Sequence, residues 1–81
     1  MRTFAEKERY GMTNKFADRL ALLMDGRNWS VKDIAGRTHI YYQTFYAWLN
    51  GRNMPTLLCL IAIADAFEVS LDYLAGRSDE R

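Results

Sequence analysis

Apolar residues recur at helical spacing along most of the chain, with short polar or glycine-containing stretches between the runs. The first apolar stripe predicts a helix that begins after Thr13 and ends around Gly26. Its members, three and four residues apart, are Phe16, Ala17, Leu20, Leu23 and Met24. Side chains at this spacing share one helix face, so we expect the stripe to face a core.

The stretch from Ser30 to Gly51 predicts two short helices joined by a tight turn. Ser30 and Asp33 have capping-box spacing, which marks the start of the first helix. Residues 36–39 are poor helix formers and predict its end. The second helix carries its own apolar stripe: Ile40, Phe45, Trp48 and Leu49. Gly51 is expected to end that helix, because glycine enters a left-handed conformation without strain.

Two further helices are predicted after this stretch. Pro55 disfavours helix before it, and Thr56 is expected to cap a helix over residues 57–67 that is apolar nearly all round. A last short helix, capped by Ser70, ends at Gly76. The pattern therefore predicts an all-α fold, a bundle of five helices.

The first 13 residues leave two alternatives open. Thr3 begins a capping-box pattern, so residues 3–10 predict a short extra helix that Gly11 ends. The other alternative is a solvated arm, whose basic residues could reach a phosphate backbone. These are Arg2, Lys7 and Arg9.

Composition limits the chemistry. The 81 residues suffice for one domain with a modest core, and Cys59 is the only cysteine, which favours a reducing compartment. There is no visible signal peptide, and the longest apolar run is too short to cross a bilayer, so we expect a cytoplasmic protein without membrane contact. One histidine and one cysteine are too few for a zinc site. We expect no enzyme, no metal and no cofactor.

Charge is unevenly distributed although the net charge is only +1. No acidic residue lies between Asp33 and Asp65, whereas Arg37, His39 and Arg52 lie inside that gap. One face can therefore be mildly positive and suited to nucleic acid. The alternative is that this uncharged stretch simply forms core.

The order of these features resembles the Cro/cI-type (XRE) helix-turn-helix family of phage repressors and bacterial transcriptional regulators. The positions that match within the motif are Ala35, Ile40, Thr44, Phe45, Trp48 and Gly51. Downstream, residues 55–57 and 69–74 match the family's P-S-L and V-S-L-D-x-L stretches. The resemblance covers about residues 14–76, which we take as the domain, preceded by an arm or short helix (1–13) and followed by a tail (77–81).

This resemblance implies a five-helix bundle of the lambda-repressor-like DNA-binding type and a regulator of the phage or prophage repressor kind. It would act on double-stranded DNA in a bacterial cytoplasm or a phage-infected host, with the helix around residues 42–49 in the major groove. The implied base contacts are Tyr42, Gln43, Thr44, Tyr46 and Ala47. The implied phosphate contacts are Ser30, Tyr41, Asn50, Gly51 and Arg52. Gln43 is the strongest candidate, because its amide can pair with adenine N6 and N7 together.

Two departures from the family pattern keep a second function open. Val31 stands where the family commonly has a glutamine that grips phosphate, and Tyr41 replaces the usual serine or threonine cap. Together with Tyr42 and Tyr46, Tyr41 makes an aromatic surface with little charge, which also suits protein contact. The alternative is a helix-turn-helix scaffold that acts mainly as a protein-interaction module or as a partner of another regulator.

A homodimer on a near-palindromic site is expected from the helix over residues 57–67. The resemblance implies that the core face of this helix is Leu57, Leu60, Ile61, Ala64 and Phe67. Relatives usually carry polar residues at other positions that are apolar here, so a second apolar strip arises that a second copy could bury. The predicted interface is Leu58, Cys59, Ala62, Ala66 and Tyr73. The alternative is that the N-terminal segment covers this strip through Phe4 and Tyr10.

Overall fold

The computed structural model describes the backbone of residues 4–81 and the side chains of residues 15–81. This part of the chain forms five helices. They are α1 (Phe4–Arg27), α2 (Val31–Thr38), α3 (Tyr42–Leu49), α4 (Leu57–Phe67) and α5 (Leu71–Ala75). The predicted all-α bundle of five helices is confirmed.

Helix α1 is longer than predicted and runs without interruption through Gly11 and Thr13. The predicted separate helix ending at Gly11 and the predicted cap at Thr13 are therefore wrong. Glycine inside a helix costs only about 1 kcal/mol relative to alanine, and extending a helix avoids the cost of nucleating a second one. Residues 1–3 and the side chains of Phe4 and Tyr10 lie outside the described part of the structure, and so does the alternative that they cover α4.

Local capping signals place the starts of the later helices correctly. The Ser30 hydroxyl accepts a hydrogen bond from the Asp33 N–H (3.2 Å), and the Asp33 carboxylate accepts one from the Ser30 N–H (2.8 Å). The hydroxyls of Thr56 and Ser70 cap α4 and α5 by accepting from the N–H groups of Cys59 and Tyr73, without a reciprocal carboxylate bond. The end of α2 differs from the prediction, since the helix continues through Gly36 to Thr38, and Ile40 lies in the turn before α3.

The core lies where α1, α3, α4 and α5 meet, with one side chain from α2. Every member of the predicted α1 stripe is buried, as are Ile34 of α2 and both Phe45 and Trp48 of α3. Trp48 meets Phe16 of α1 edge-on, with 6.0 Å between ring centroids. These contacts fix the orientation of α3 relative to the bundle.

The predicted core face of α4 is only partly correct. Ile63, which was not predicted, is fully buried together with Ala64 and Phe67, whereas Leu57 and Ile61 are exposed. A helix that is apolar all round gives no periodic signal for which face turns inward. Packing against α2 and α5 makes that choice.

The C-terminal tail folds back onto α1 and α5. The Arg19 guanidinium donates hydrogen bonds to the carbonyls of Tyr73 and Ser78 and to the Asp79 carboxylate (2.7 Å). It also lies 4.3 Å from the centroid of the Tyr73 ring. The Ser70 N–H donates to the carbonyl of Arg81 at 3.0 Å. The tail therefore closes the end of the bundle where α1 and α5 pack together.

Candidate nucleic-acid interface

A three-residue turn sets the angle between α2 and α3. His39 adopts the left-handed conformation at the end of α2 (φ 59°), which histidine tolerates better than most residues. Tyr41 occupies the N-cap of α3 without a side-chain hydrogen bond, as expected for a tyrosine in place of serine or threonine. The first turn of α3 closes instead through its backbone, because the Thr44 N–H donates to the Tyr41 carbonyl at 3.0 Å.

The buried side of α3 determines which of its residues face outward. Phe45 is fully buried and lies edge-on to Trp48, with ring centroids 5.1 Å apart. The predicted base contacts are on the other side of the helix or at its margin. Gln43 and Tyr46 are exposed, whereas Tyr42, Thr44 and Ala47 are half-buried. On an α-helix, positions 42, 43, 46 and 47 share one face, so these four side chains form a single accessible surface.

The predicted phosphate contacts flank α3, except for Ser30, which caps α2. Ser30, Tyr41, Asn50 and Arg52 are all exposed. The Gly51 N–H, however, donates to the Trp48 carbonyl at 2.9 Å. That donor is therefore engaged within the chain. The four exposed side chains are better placed to hold phosphates, and phosphate contact by Gly51 stays a prediction. With φ at 71°, Gly51 supplies the left-handed residue that ends α3, as predicted.

Charge around this surface comes from α2 and from the loop after α3. Lys32, which was not among the predicted contacts, is exposed on the first turn of α2, with its ammonium 5.9 Å from the centroid of the Tyr42 ring. Its exposure could have been inferred from its place outside the apolar pattern. Its approach to Tyr42 could not, because it depends on the angle between α2 and α3.

Asp33 is a fixed negative charge beside the start of α2. The hydrogen bond from the Ser30 N–H, followed by the one with the Ser30 side chain and the charge of Arg37, holds the pKa of Asp33 below its ordinary value. The carboxylate therefore stays ionised at neutral pH. An ionised carboxylate only accepts hydrogen bonds, so of these two groups the Ser30 hydroxyl is the one that can donate to a phosphate, and it would give up its bond to Asp33 to do so.

Three tyrosines pack against one another at the start and middle of α3. The ring centroids of Tyr41 and Tyr42 are 5.1 Å apart, and those of Tyr42 and Tyr46 are 6.4 Å apart. Both pairs are edge-to-face. We call Tyr41, Tyr42 and Tyr46 the tyrosine row. Tyr41 is 64% exposed and Tyr46 is 48% exposed, so the row presents aromatic surface to solvent.

The exposed residues of α4 differ from the set predicted to form the dimer interface. Leu58 is 79% exposed, and Cys59, Ala62 and Ala66 are half-buried. Tyr73 is only 5% exposed because it packs beneath the Arg19 and Arg81 guanidinium groups, so its assignment to the interface is wrong. Leu57 and Ile61 are exposed in its place. We call Leu57, Leu58, Ile61 and Ala62 the apolar strip of α4.

Within the part of the chain that the structure describes, no helix combines the length and apolar character needed to cross a membrane. Among the residues of that part, no three side chains of the types that bind metals lie close enough together to hold an ion.

Comparison with known proteins identifies the family. Residues 20–74 match the helix-turn-helix family, and this range contains α2 and α3 in full. Over 64 residues, or 79% of its length, the chain is 33% identical to the HTH-type transcriptional regulator AnsR of Bacillus subtilis (strain 168). It spans only about half of that relative, 55% of its length. No solved structure gives a significant match. The chain therefore belongs to the Cro/cI-type (XRE) helix-turn-helix family.

Proposed function

We propose that this protein is a sequence-specific DNA-binding transcriptional regulator that inserts α3 into the major groove. The observation that carries this proposal is the orientation of α3. Phe45 and Trp48 anchor one side of the helix in the core, which leaves Gln43 and Tyr46 projecting from the other side. A helix presented in this way fits the width of the major groove. The Bacillus subtilis relative is named as a transcriptional regulator, which supports the same function.

The proposed contacts fall into two groups. Gln43 reads an adenine, and Tyr42, Thr44, Tyr46 and Ala47 complete the contact with base edges. Phosphates are held by four groups, three flanking α3 and one at the start of α2, which set the register without reading sequence. These are the Ser30 and Tyr41 hydroxyls, the Asn50 amide and the Arg52 guanidinium.

The regulator acts as a homodimer in this proposal. The apolar strip of α4 exposes three large aliphatic side chains, and Leu57 alone is 66% exposed. A contiguous apolar surface of this kind favours burial against a second copy. Two copies would place their α3 helices about 34 Å apart, one turn of DNA, so the site would be nearly palindromic. The resemblance to phage repressors favours repression as the outcome of binding.

A second candidate function is supported by the tyrosine row. Exposed tyrosines give a large contact area at low entropic cost, and such residues are common at the centres of protein interfaces. In this alternative, the helix-turn-helix scaffold binds another protein, such as a second regulator, and DNA contact is secondary.

A selection from random DNA duplexes, sequenced and repeated at two salt concentrations, tests the proposal. The expected result is one enriched motif with two inverted half-sites about 10 base pairs apart, recovered more strongly at low salt. Gln43→Ala should lose the preference at one position of each half-site. Lack of enrichment at both salt concentrations would contradict DNA recognition and leave the protein-interaction function as the better account.

A further inference from the structure

The accessible surface of α3 lacks the basic and acidic side chains that usually recognise guanine and cytosine. Residues 38–51 contain no lysine, arginine, aspartate or glutamate. Arginine and lysine are the usual partners of guanine, and aspartate and glutamate accept from cytosine. Glutamine and asparagine pair with adenine, and apolar groups contact the thymine methyl. The chemistry left on this helix therefore matches adenine and thymine.

Lys32 lies beside this surface, and its position on α2 favours a phosphate over a guanine. It lies on α2, the helix that crosses the DNA backbone in this motif, and its ammonium is beside the Tyr42 ring. A flexible point charge at that place suits a phosphate oxygen. Discrimination between the bases beneath α3 is therefore left to the uncharged side chains of that helix.

The tyrosine row supplies the apolar part of that discrimination. Tyr42 lies between its two neighbours, edge-to-face with both, so the three rings support one another. Each ring has few rotatable bonds, so ordering it on DNA costs little entropy. The Nε2 atom of Gln43 lies 3.5 Å from the Tyr42 hydroxyl, which brings the amide and the aromatic edge side by side.

We propose that the rings of Tyr42 and Tyr46 recognise the C5 methyl groups of thymines, with Tyr42 supported by the Tyr41 ring, while Gln43 pairs with an adenine of the same short A·T tract. This inference rests on the proposed DNA-binding function and specifies its target, a half-site rich in A·T pairs beneath α3. In the major groove an adenine presents N7 and N6, and a thymine presents its methyl. A neighbouring amide and aromatic edge can therefore engage both bases of one step.

Replacement of thymine by deoxyuridine tests this inference directly. The exchange removes the methyl group and leaves the hydrogen-bonding edge and the phosphates unchanged. Each contacted methyl that is lost should weaken binding about fourfold, the factor expected for one buried methyl-sized group. Deoxyuridine outside the half-sites is the matched control and should have no effect. Where cytosine replaces a contacted thymine, 5-methylcytosine should bind more tightly than cytosine.

Variants of Tyr46 test whether the tyrosine row causes the sensitivity of binding to deoxyuridine. Tyr46→Phe keeps the ring and should retain the penalty for deoxyuridine at every contacted thymine. Tyr46→Ala should lose that penalty at the thymine that Tyr46 contacts and keep it at the others. Tyr46 is exposed, so circular dichroism should show that both variants are folded. Tight DNA binding by the wild type that is indifferent to deoxyuridine at every position would overturn this inference and leave the proposed function intact. Failure to bind any duplex would overturn both, and the tyrosine row would then be a protein-binding surface.

Discussion

At the scale of single residues, Gln43 illustrates how exposure separates recognition from stability. Its side chain is exposed on α3 and makes only a long contact with Tyr42. We predict that Gln43→Ala lowers affinity by about 1–3 kcal/mol, confined to one base pair of each half-site, with the free energy of unfolding nearly unchanged. Fluorescence anisotropy on duplexes substituted at single positions measures this. A variant with full affinity and an unaltered preferred sequence would show that Gln43 does not read a base.

Asp33 gives the chain a specific dependence on pH. Its pKa is lowered in the folded protein, so its contribution to stability is present above the unfolded value of about 3.9 and is lost as the pH falls through the folded pKa. We predict that the stability difference between wild type and Asp33→Asn shrinks below about pH 4. Urea unfolding of both proteins between pH 7 and pH 2 measures the difference. A constant difference over this range would rule out the capping carboxylate as its source.

At the scale of helices, two glycines with different surroundings should respond in opposite ways to alanine. Gly36 is exposed inside α2, and an added Cβ would meet no atom within 4 Å. Gly36→Ala should therefore stabilise the protein by about 0.5–1 kcal/mol. Gly76 ends α5 at φ 87°, and an added Cβ would lie 2.8 Å from the Cβ of Lys15. Gly76→Ala should destabilise the protein by at least about 1–2 kcal/mol.

Thermal unfolding of the two glycine variants against wild type measures both effects. The melting temperature should rise for Gly36→Ala and fall for Gly76→Ala. Changes of the same sign in both variants would contradict the assigned backbone conformations.

How much of the fold could be predicted from the sequence depends on whether a feature is determined by neighbouring residues or by distant ones. Helix starts at Ser30, Thr56 and Ser70 were predicted correctly, because a cap depends on residues within one turn. The inward face of α4 and the burial of Tyr73 were not, since both depend on packing against distant helices. At the candidate site, the outward position of Gln43 followed from the resemblance to the family, whereas the hydrogen bond that engages the Gly51 N–H could not be predicted from the sequence.

At the scale of the whole molecule, the apolar strip of α4 predicts self-association. Leu58→Lys should convert a dimer into a folded monomer, because a lysine at the centre of the strip opposes burial of that surface. DNA affinity should fall with it, since each half-site would then bind separately. Leu22→Lys is the matched control, because Leu22 is similarly exposed but lies on α1.

Sedimentation velocity at several concentrations measures the association state of these variants. The wild type and Leu22→Lys should sediment as dimers and Leu58→Lys as a monomer. A wild type that is monomeric at high micromolar concentration without DNA, and that binds its selected site without cooperativity, would contradict the dimer.

The salt dependence of affinity for the selected duplex tests the central claim, that α3 and its flanking residues bind DNA. The logarithm of the association constant should fall linearly with the logarithm of salt concentration, by about 0.9 for each phosphate contact. Arg52→Ala should reduce this slope by about one per protomer and weaken all sequences alike, whereas Arg77→Ala, an exposed arginine in the C-terminal tail, should leave it unchanged. Affinity that does not change with salt, or no affinity for any duplex at low salt, would contradict the account.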